Sequence, residues 1–326
     1  MFIPSMRACR RGLIAAAAAM ALVPLGAFAQ AYPAKTVKII NNNPAGGPSD
    51  ILSRAIGEAL QRSLKQPFIV ENKAGAGGNV GAEAVAKSPA DGYTILVSID
   101  TTLTVNPHIY KGLPFQASDL RPVYILASSG LLVGASSATG ITTFPALVDA
   151  IRRKPVNFAS GGNGSPGHLA IEVFRDSAKL GVQHVPYRGN TPAVTALVSG
   201  EADAGVLATP GMLPHVKSGK IHALAVTSRQ RSRLLPDVPT VIEAGFKDLQ
   251  LEVLYVVAVP RQTPEPVVQT LEAALREVMQ QPDFLARLAS LDFSAEGLAG
   301  AAARQRLSDL SARYARLAAA SGMRPE

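Results

Sequence analysis

Two stretches have the residue types and spacing to do chemistry. They are Asn43-Pro44-Ala45-Gly46-Gly47-Pro48-Ser49-Asp50 and Ser160-Gly161-Gly162-Asn163-Gly164-Ser165-Pro166-Gly167-His168. Each follows a short apolar run and precedes a segment with apolar residues at helical spacing. Gly46, Gly47, Gly161 and Gly164 let the backbone turn sharply and let a ligand approach it. A glycine loop that opens a helix points free N–H groups, and the positive end of the helix dipole, at one spot. The natural guest is a carboxylate or another small anion, held without lysine or arginine. Ala45 lies in the first loop, and Ser49 and Asp50 read as helix-capping residues at its end.

Further polar groups stand at other strand ends. Asn41, Asn42 and Asn43 bring three amides to the edge of the first loop. Thr101 and Thr102 follow a strand at Tyr93 to Ser98, where they would bond a polar ligand, cap a helix, or both. Tyr187 offers an apolar face and a hydroxyl, and Thr209 follows a strand at Ala204 to Leu207. Gly75-Ala76-Gly77-Gly78 superficially resembles a dinucleotide fingerprint, but it stands off its strand and fits a tight turn better. No G-x-S-x-G elbow or H-E-x-x-H occurs, and the histidines lack metal-ligand spacing. No metal and no cofactor is expected. Ser165 and His168, three residues apart, leave a secreted Ser/His hydrolase as the alternative. The Asn triplet leaves a receptor for a neutral amide or aromatic ligand as another.

The elements that must position these loops alternate. Strands are expected at 36–40, 68–71 and 93–98, with helices at 51–64 and 82–87 between them. A similar series restarts at Leu131, with strands at 131–134, 156–159, 182–185, 204–207 and 224–227. Helices are expected at 144–151, 169–180 and 193–199. A strand at 253–259 leads into a long helix to about Gln280, and a terminal helix spans 298–320. This alternation predicts parallel sheets covered by helices. Two series predict two lobes with a cleft, and ligands bind where loops gather at the carboxyl ends of strands.

Residues 1–29 read as an export signal: Arg7, Arg10 and Arg11, then an apolar run, then Ala27-Phe28-Ala29. Cleavage after about Ala29 takes the only cysteine, Cys9, and lowers the formal charge from +8 to +5. The remaining basic residues are scattered and there is no Trp, which argues against a nucleic-acid surface. A periplasmic location follows, and stability must come from a large core.

The order of motifs resembles the Bug-type extracytoplasmic solute receptors, the binding components of the tripartite tricarboxylate transporter family. The matching pieces include Tyr32-Pro33-Ala34-Lys35, Pro44-Ala45-Gly46-Gly47-Pro48-Ser49-Asp50 and Val70-Glu71-Asn72-Lys73-Ala74-Gly75-Ala76-Gly77-Gly78-Asn79. They continue with Asn163-Gly164-Ser165, His184-Val185-Pro186-Tyr187-Arg188-Gly189 and Leu235-Pro236-Asp237-Val238-Pro239-Thr240, so the resemblance spans essentially the whole mature chain. It implies a two-lobed α/β periplasmic binding protein of type II-like, Venus-flytrap form, with two sheets and a hinge. Lobe 1 would be 30–130 plus 256–326, and lobe 2 would be 131–255. It implies a monomer, not an enzyme, that binds a small carboxylate through loop amides, hydroxyls and ordered waters. Its partner would be a membrane permease of the tripartite tricarboxylate type or a sensor protein. The chain departs from the family's pattern at Asn41-Asn42-Asn43, Ala208-Thr209 and Leu254-Tyr255. The Asn triplet is where ligand choice is expected to be decided.

Overall fold

The computed structural model describes residues 32–179, 181–321 and 323. The expected export signal and its cleavage point lie outside the described residues. The chain divides into a unit ending at Ala34 and one that starts at Lys35. Among the described residues, every strand and helix belongs to the second unit.

The backbone of the fold is one strand, β4 (Leu120–Ser136), which belongs to two sheets. Up to Gly130 it pairs antiparallel with β9 (Glu252–Pro260), and through Ser128 to Tyr124 with β10 (Ser294–Ala299). From Leu131 onward it pairs antiparallel with β7 (Ala204–Ala208) and β8 (Ile221–Val226). The first sheet continues from β9 to β3 (Thr94–Ile99), β1 (Val37–Asn41) and β2 (Phe68–Asn72). The second continues from β7 to β5 (Val156–Ser160) and β6 (Val182–Pro186). The architecture is α/β and two-lobed, with a sheet at the centre of each lobe.

The sheets are mixed, which corrects the expectation of purely parallel ones. The β1–β2, β1–β3, β5–β6 and β5–β7 pairs are parallel, but every partner of β4 is antiparallel. The reason is connectivity. Residues reach β1, β2 and β3 through helices that return the chain to the same end, whereas β4 and β9 carry it from one lobe to the other. Because β4 passes through both sheets, fourteen of its seventeen residues are buried and no polar alternation marks it.

The helices follow from caps and prolines. Helix α1 (Pro48–Leu64) begins with Pro at its first position and Gly47 as N-cap. This corrects Ser49 and Asp50 as the caps. Helix α2 is Asn79–Ala86, and two short turns, α3 (Thr101–Thr104) and α4 (Asn106–Ile109), follow β3. In the second lobe come α5 (Phe144–Arg153), α6 (Pro166–Ala178), α7 (Asn190–Ser199) and α8 (Thr209–Lys217). Helix α6 starts at Pro166 rather than near His168, because Ser165 caps it by accepting the His168 N–H. Helices α9 (Glu265–Val278), α10 (Pro282–Ser290) and α11 (Gly300–Ala320) complete the chain. No helix among the described residues is long and apolar enough to cross a membrane.

Candidate ligand-binding site

Helices α1 and α6 open onto one cavity of about 550 Å³. The two helix starts match: Pro48 then Ser49, and Pro166 then Gly167, all four lining the cavity. A proline at the first helical position has no N–H, and the amide of the next residue has no acceptor within its own helix. Ser49 and Gly167 therefore present first-turn amides, with the positive ends of two helix dipoles behind them. Gly47, Gly161 and Asn163 line the same space, as do Asn42, Asn43, Ser165 and Tyr187. Arg188 is the one lysine or arginine among the lining residues, and it is exposed.

The other sequence candidates lie behind this surface and hold it. The Gly46 N–H donates to the Asp50 carboxylate at 2.9 Å, so that amide is occupied within the loop. Burial opposes ionisation of Asp50, but the Gly46 N–H, Arg54 and Asn72 together hold its pKa below the usual value. Asn41 donates to the Asn43 carbonyl at 3.0 Å and accepts from Ser49 Oγ at 2.7 Å. Asn42 donates to the Gly78 carbonyl at 3.0 Å and to Thr102 Oγ1 at 3.1 Å, while its oxygen accepts from Asn43 Nδ2 at 2.9 Å. The triplet expected to select a ligand thus spends these amide bonds bracing the first loop, and through Asn42 alone it ties that loop to Gly78 and Thr102. Ala45 does not line the cavity; its carbonyl accepts from Thr191 Oγ1 at 3.4 Å. Thr101 is buried without a side-chain partner, and Thr209 Oγ1 donates to the Gly130 carbonyl at 3.0 Å, at the point where β4 changes sheet.

Beneath the second loop lies a pair of imidazoles. His168 and His184 stack with centroids 4.2 Å apart and planes 12° from parallel. His184 Nε2 is 2.6 Å from Ser160 Oγ, and His168 Nδ1 accepts the Gly164 N–H at 3.2 Å. Burial drives the pKa of His168 down to about 3 and that of His184 to about 4, so both are neutral at ordinary pH. Glu172 is buried beside them and paired with Arg175. Donor atoms of His168, Glu172 and His184 lie within 4.8 Å of one another. Through Ser160 and Gly164 the two imidazoles also hold the loop. The hydrolase pairing is not assembled. Ser165 Oγ accepts the His168 backbone N–H at 3.2 Å, and the imidazole is engaged by Gly164 and His184.

Sequence reasoning missed part of the lining. The Gly75–Gly78 loop, read as a turn, faces the cavity, as do Tyr110 and Asn190. Apolar strand residues form the remaining wall, including Ile99, Leu131, Val206 and Val253. They read as ordinary core in the sequence; a position toward the carboxyl end of a strand could have marked Ile99 and Val206, whereas Leu131 lies mid-strand in β4 and Val253 at the start of β9. Tyr187, by contrast, lines the cavity as a ring; its hydroxyl donates to Glu201 at 2.8 Å, and burial followed by that carboxylate pushes its pKa up to about 12.

The lobes touch around this cavity. Tyr110 donates to the Asn163 carbonyl at 2.9 Å. Glycines make the approach possible: a Cβ on Gly164 would lie 2.4 Å from Asn106 Oδ1, and one on Gly189 would lie 2.4 Å from Pro44 Cγ.

Comparison with known proteins gives the chain's relatives. The family model described as "Tripartite tricarboxylate transporter family receptor" matches residues 52–323. Protein BugT of Bordetella pertussis is 34% identical over 256 residues, covering 77% of this chain and 78% of BugT. Among solved structures, Rpa4515 of R. palustris with adipate superposes with a TM-score of 0.88 at 26% identity, covering 90% of this chain and 100% of that one. Periplasmic binding protein BugD gives 0.86 at 26% identity, again covering 90% and 100%. MatC of Rhodopseudomonas palustris with bound malate gives 0.82 at 28% identity, covering 88% and 99%.

Proposed function

Since the chain belongs to the tripartite tricarboxylate transporter receptor family, we propose that it captures a small carboxylate in the periplasm. It delivers that solute, as a monomer and without chemical conversion, to a membrane permease of the tripartite type. One observation carries the reading: two helix starts, Pro48-Ser49 and Pro166-Gly167, face one cavity whose lining has no lysine or arginine except the exposed Arg188. Such a site stabilises one negative charge through amides and dipoles. The adipate and malate bound by two similar proteins fit the same chemistry.

Capture requires the lobes to part and close. In this reading lobe 1 comprises 30–130 with the C-terminal region, and lobe 2 begins at Leu131, where β4 changes pairing partners. Lobe 2 runs to about 255 in this reading, and the return crossing is made by β9, which pairs with β4 from Glu252 onward. Two crossing strands form a hinge of few residues.

Thermal unfolding with a panel of carboxylates tests the function. A cognate acid raises the melting temperature by mass action. If neither aliphatic nor aromatic acids raise it, while their amides do, the carboxylate reading is wrong. Native mass spectrometry of the purified protein would identify a ligand retained in the closed form.

A further inference from the structure

We infer that the cognate ligand carries one carboxylate on an apolar body, and that the cavity disfavours a second carboxylate. The inference rests on the carboxylate reading and narrows it. The cavity has two chemically different walls. One is made of the α1 and α6 starts with their glycine loops. The other is made of strand residues, Ile99 of β3, Leu131 of β4, Val206 and Leu207 of β7, and Val253 and Tyr255 of β9. Leu131, Val206, Leu207 and Val253 are each no more than 3% exposed.

Several polar groups that line the cavity or stand beside that wall are already engaged with one another. The Tyr255 hydroxyl lies 3.1 Å from Ser129 Oγ, and its ring meets Phe293 edge to face at 5.1 Å. The Leu131 N–H donates to Thr227 Oγ1 at 2.9 Å, and the Ala208 N–H to Asn190 Oδ1 at 3.0 Å. The Tyr110 hydroxyl is given to Asn163 at 2.9 Å and that of Tyr187 to Glu201 at 2.8 Å. A carboxylate pressed against Leu131, Val206 and Val253 would lose its hydration against apolar side chains, which is strongly unfavourable. A methylene chain or an aromatic ring would gain from the same surface.

The distinction separates acids of equal length. Hexanoate and adipate differ only in whether the far end of the chain is a methyl or a carboxylate, and hexanamide keeps hexanoate's shape without its charge. Isothermal titration of the full mature protein with these three and with benzoate is the test. Hexanoate or benzoate should bind at least about fivefold tighter than adipate, the least that an unpartnered polar group is worth. Hexanamide should bind at least about tenfold more weakly than hexanoate. Adipate binding as tightly as hexanoate, or tighter, overturns the single-carboxylate inference and leaves the carboxylate reading standing. Hexanamide matching hexanoate overturns the carboxylate reading itself. Silence from all four counts against both.

Discussion

Asp100 is the buried acid whose removal tests the packing behind the cavity. It follows Ile99 at the end of β3 and has no exposed surface. One carboxyl oxygen accepts the Leu254 N–H at 2.9 Å, and its own N–H donates to the Leu254 carbonyl at 2.9 Å. The other oxygen faces Thr104 Oγ1 at 3.4 Å. The side chain thus joins β3 to β9 beside Val253 and Tyr255 of the apolar wall. Burial pushes its pKa up from 3.8 to about 7, against the pull of these hydrogen bonds and of Arg306. The folded chain therefore keeps a proton that the unfolded chain releases on passing 3.8. Stability from this group is full below that pH, declines as pH rises toward about 7, and is level above. At ~1.4 kcal/mol per pKa unit, the gap amounts to about 4 kcal/mol.

Asp100→Asn keeps the shape and an oxygen for the Leu254 N–H, but carries no charge. Near pH 4, where wild-type Asp100 is protonated, the two proteins should be about equally stable. Near pH 8 the variant should be the more stable by about 4 kcal/mol. His168 and His184 act in the opposite sense. Their lowered values make stability fall as pH drops below 6.5, but this is common to both proteins and cancels in the difference. Urea unfolding of both proteins from about pH 4 to about pH 8 measures that difference directly. A difference that does not change with pH would refute the reasoning, because it would mean that Asp100 ionises equally readily folded and unfolded.

Two substitutions probe closure. Gly164→Ala places a Cβ 2.4 Å from Asn106 Oδ1 and 3.1 Å from Ile109 Cδ1, both across the lobe boundary, at a φ of +77°. The left-handed backbone lowers unliganded stability by ~1–2 kcal/mol, while the collision should weaken ligand binding by at least about tenfold; unchanged affinity in titration calorimetry would show that closure does not bring these atoms together. Tyr110→Phe deletes the 2.9 Å hydrogen bond to the Asn163 carbonyl. It should weaken ligand binding about fivefold with little change in unliganded melting, and an equal loss in both would assign Tyr110 to folding alone.

Much of the fold was legible because its helices and most of its strands are local. Pro48, Ser165 with Pro166, and Pro264 mark helix starts by chemistry that acts within one turn. The strands β1, β5 and β7 read as apolar runs because both their faces are covered. What stayed hidden depends on distant partners. The first half of β4 contains Pro122 and the run Ser128-Ser129-Gly130, which read as a break. There the strand continues because β9 pairs with it through Gly130. Strand β10 has no buried residue and bends at Gly297 with φ +66°, so nothing local announces it. In the site, the small-residue loops were visible, but which of their amides stay free was not. The Gly46 N–H is taken by Asp50 and the Gly164 N–H by His168, through contacts that a loop's composition does not encode.

A site made of amides places different demands on the fold from one made of charged side chains. An anion held by an arginine depends on one side chain reaching one place, and a flexible stem tolerates small shifts. An anion held by amides depends on the path of the backbone, which has no such tolerance. In the proposed site, side chains that hold the loops then matter as much as those that face the ligand. Asp50 fixes Gly46, Asn42 joins the first loop to Gly78, and the neutral His168–His184 stack fixes Ser160 and Gly164. The burial that keeps those imidazoles uncharged also lets His168 accept an N–H, which a protonated ring could not do at Nδ1. The polar core behind each loop is therefore as much a determinant of anion affinity as the residues that face the ligand.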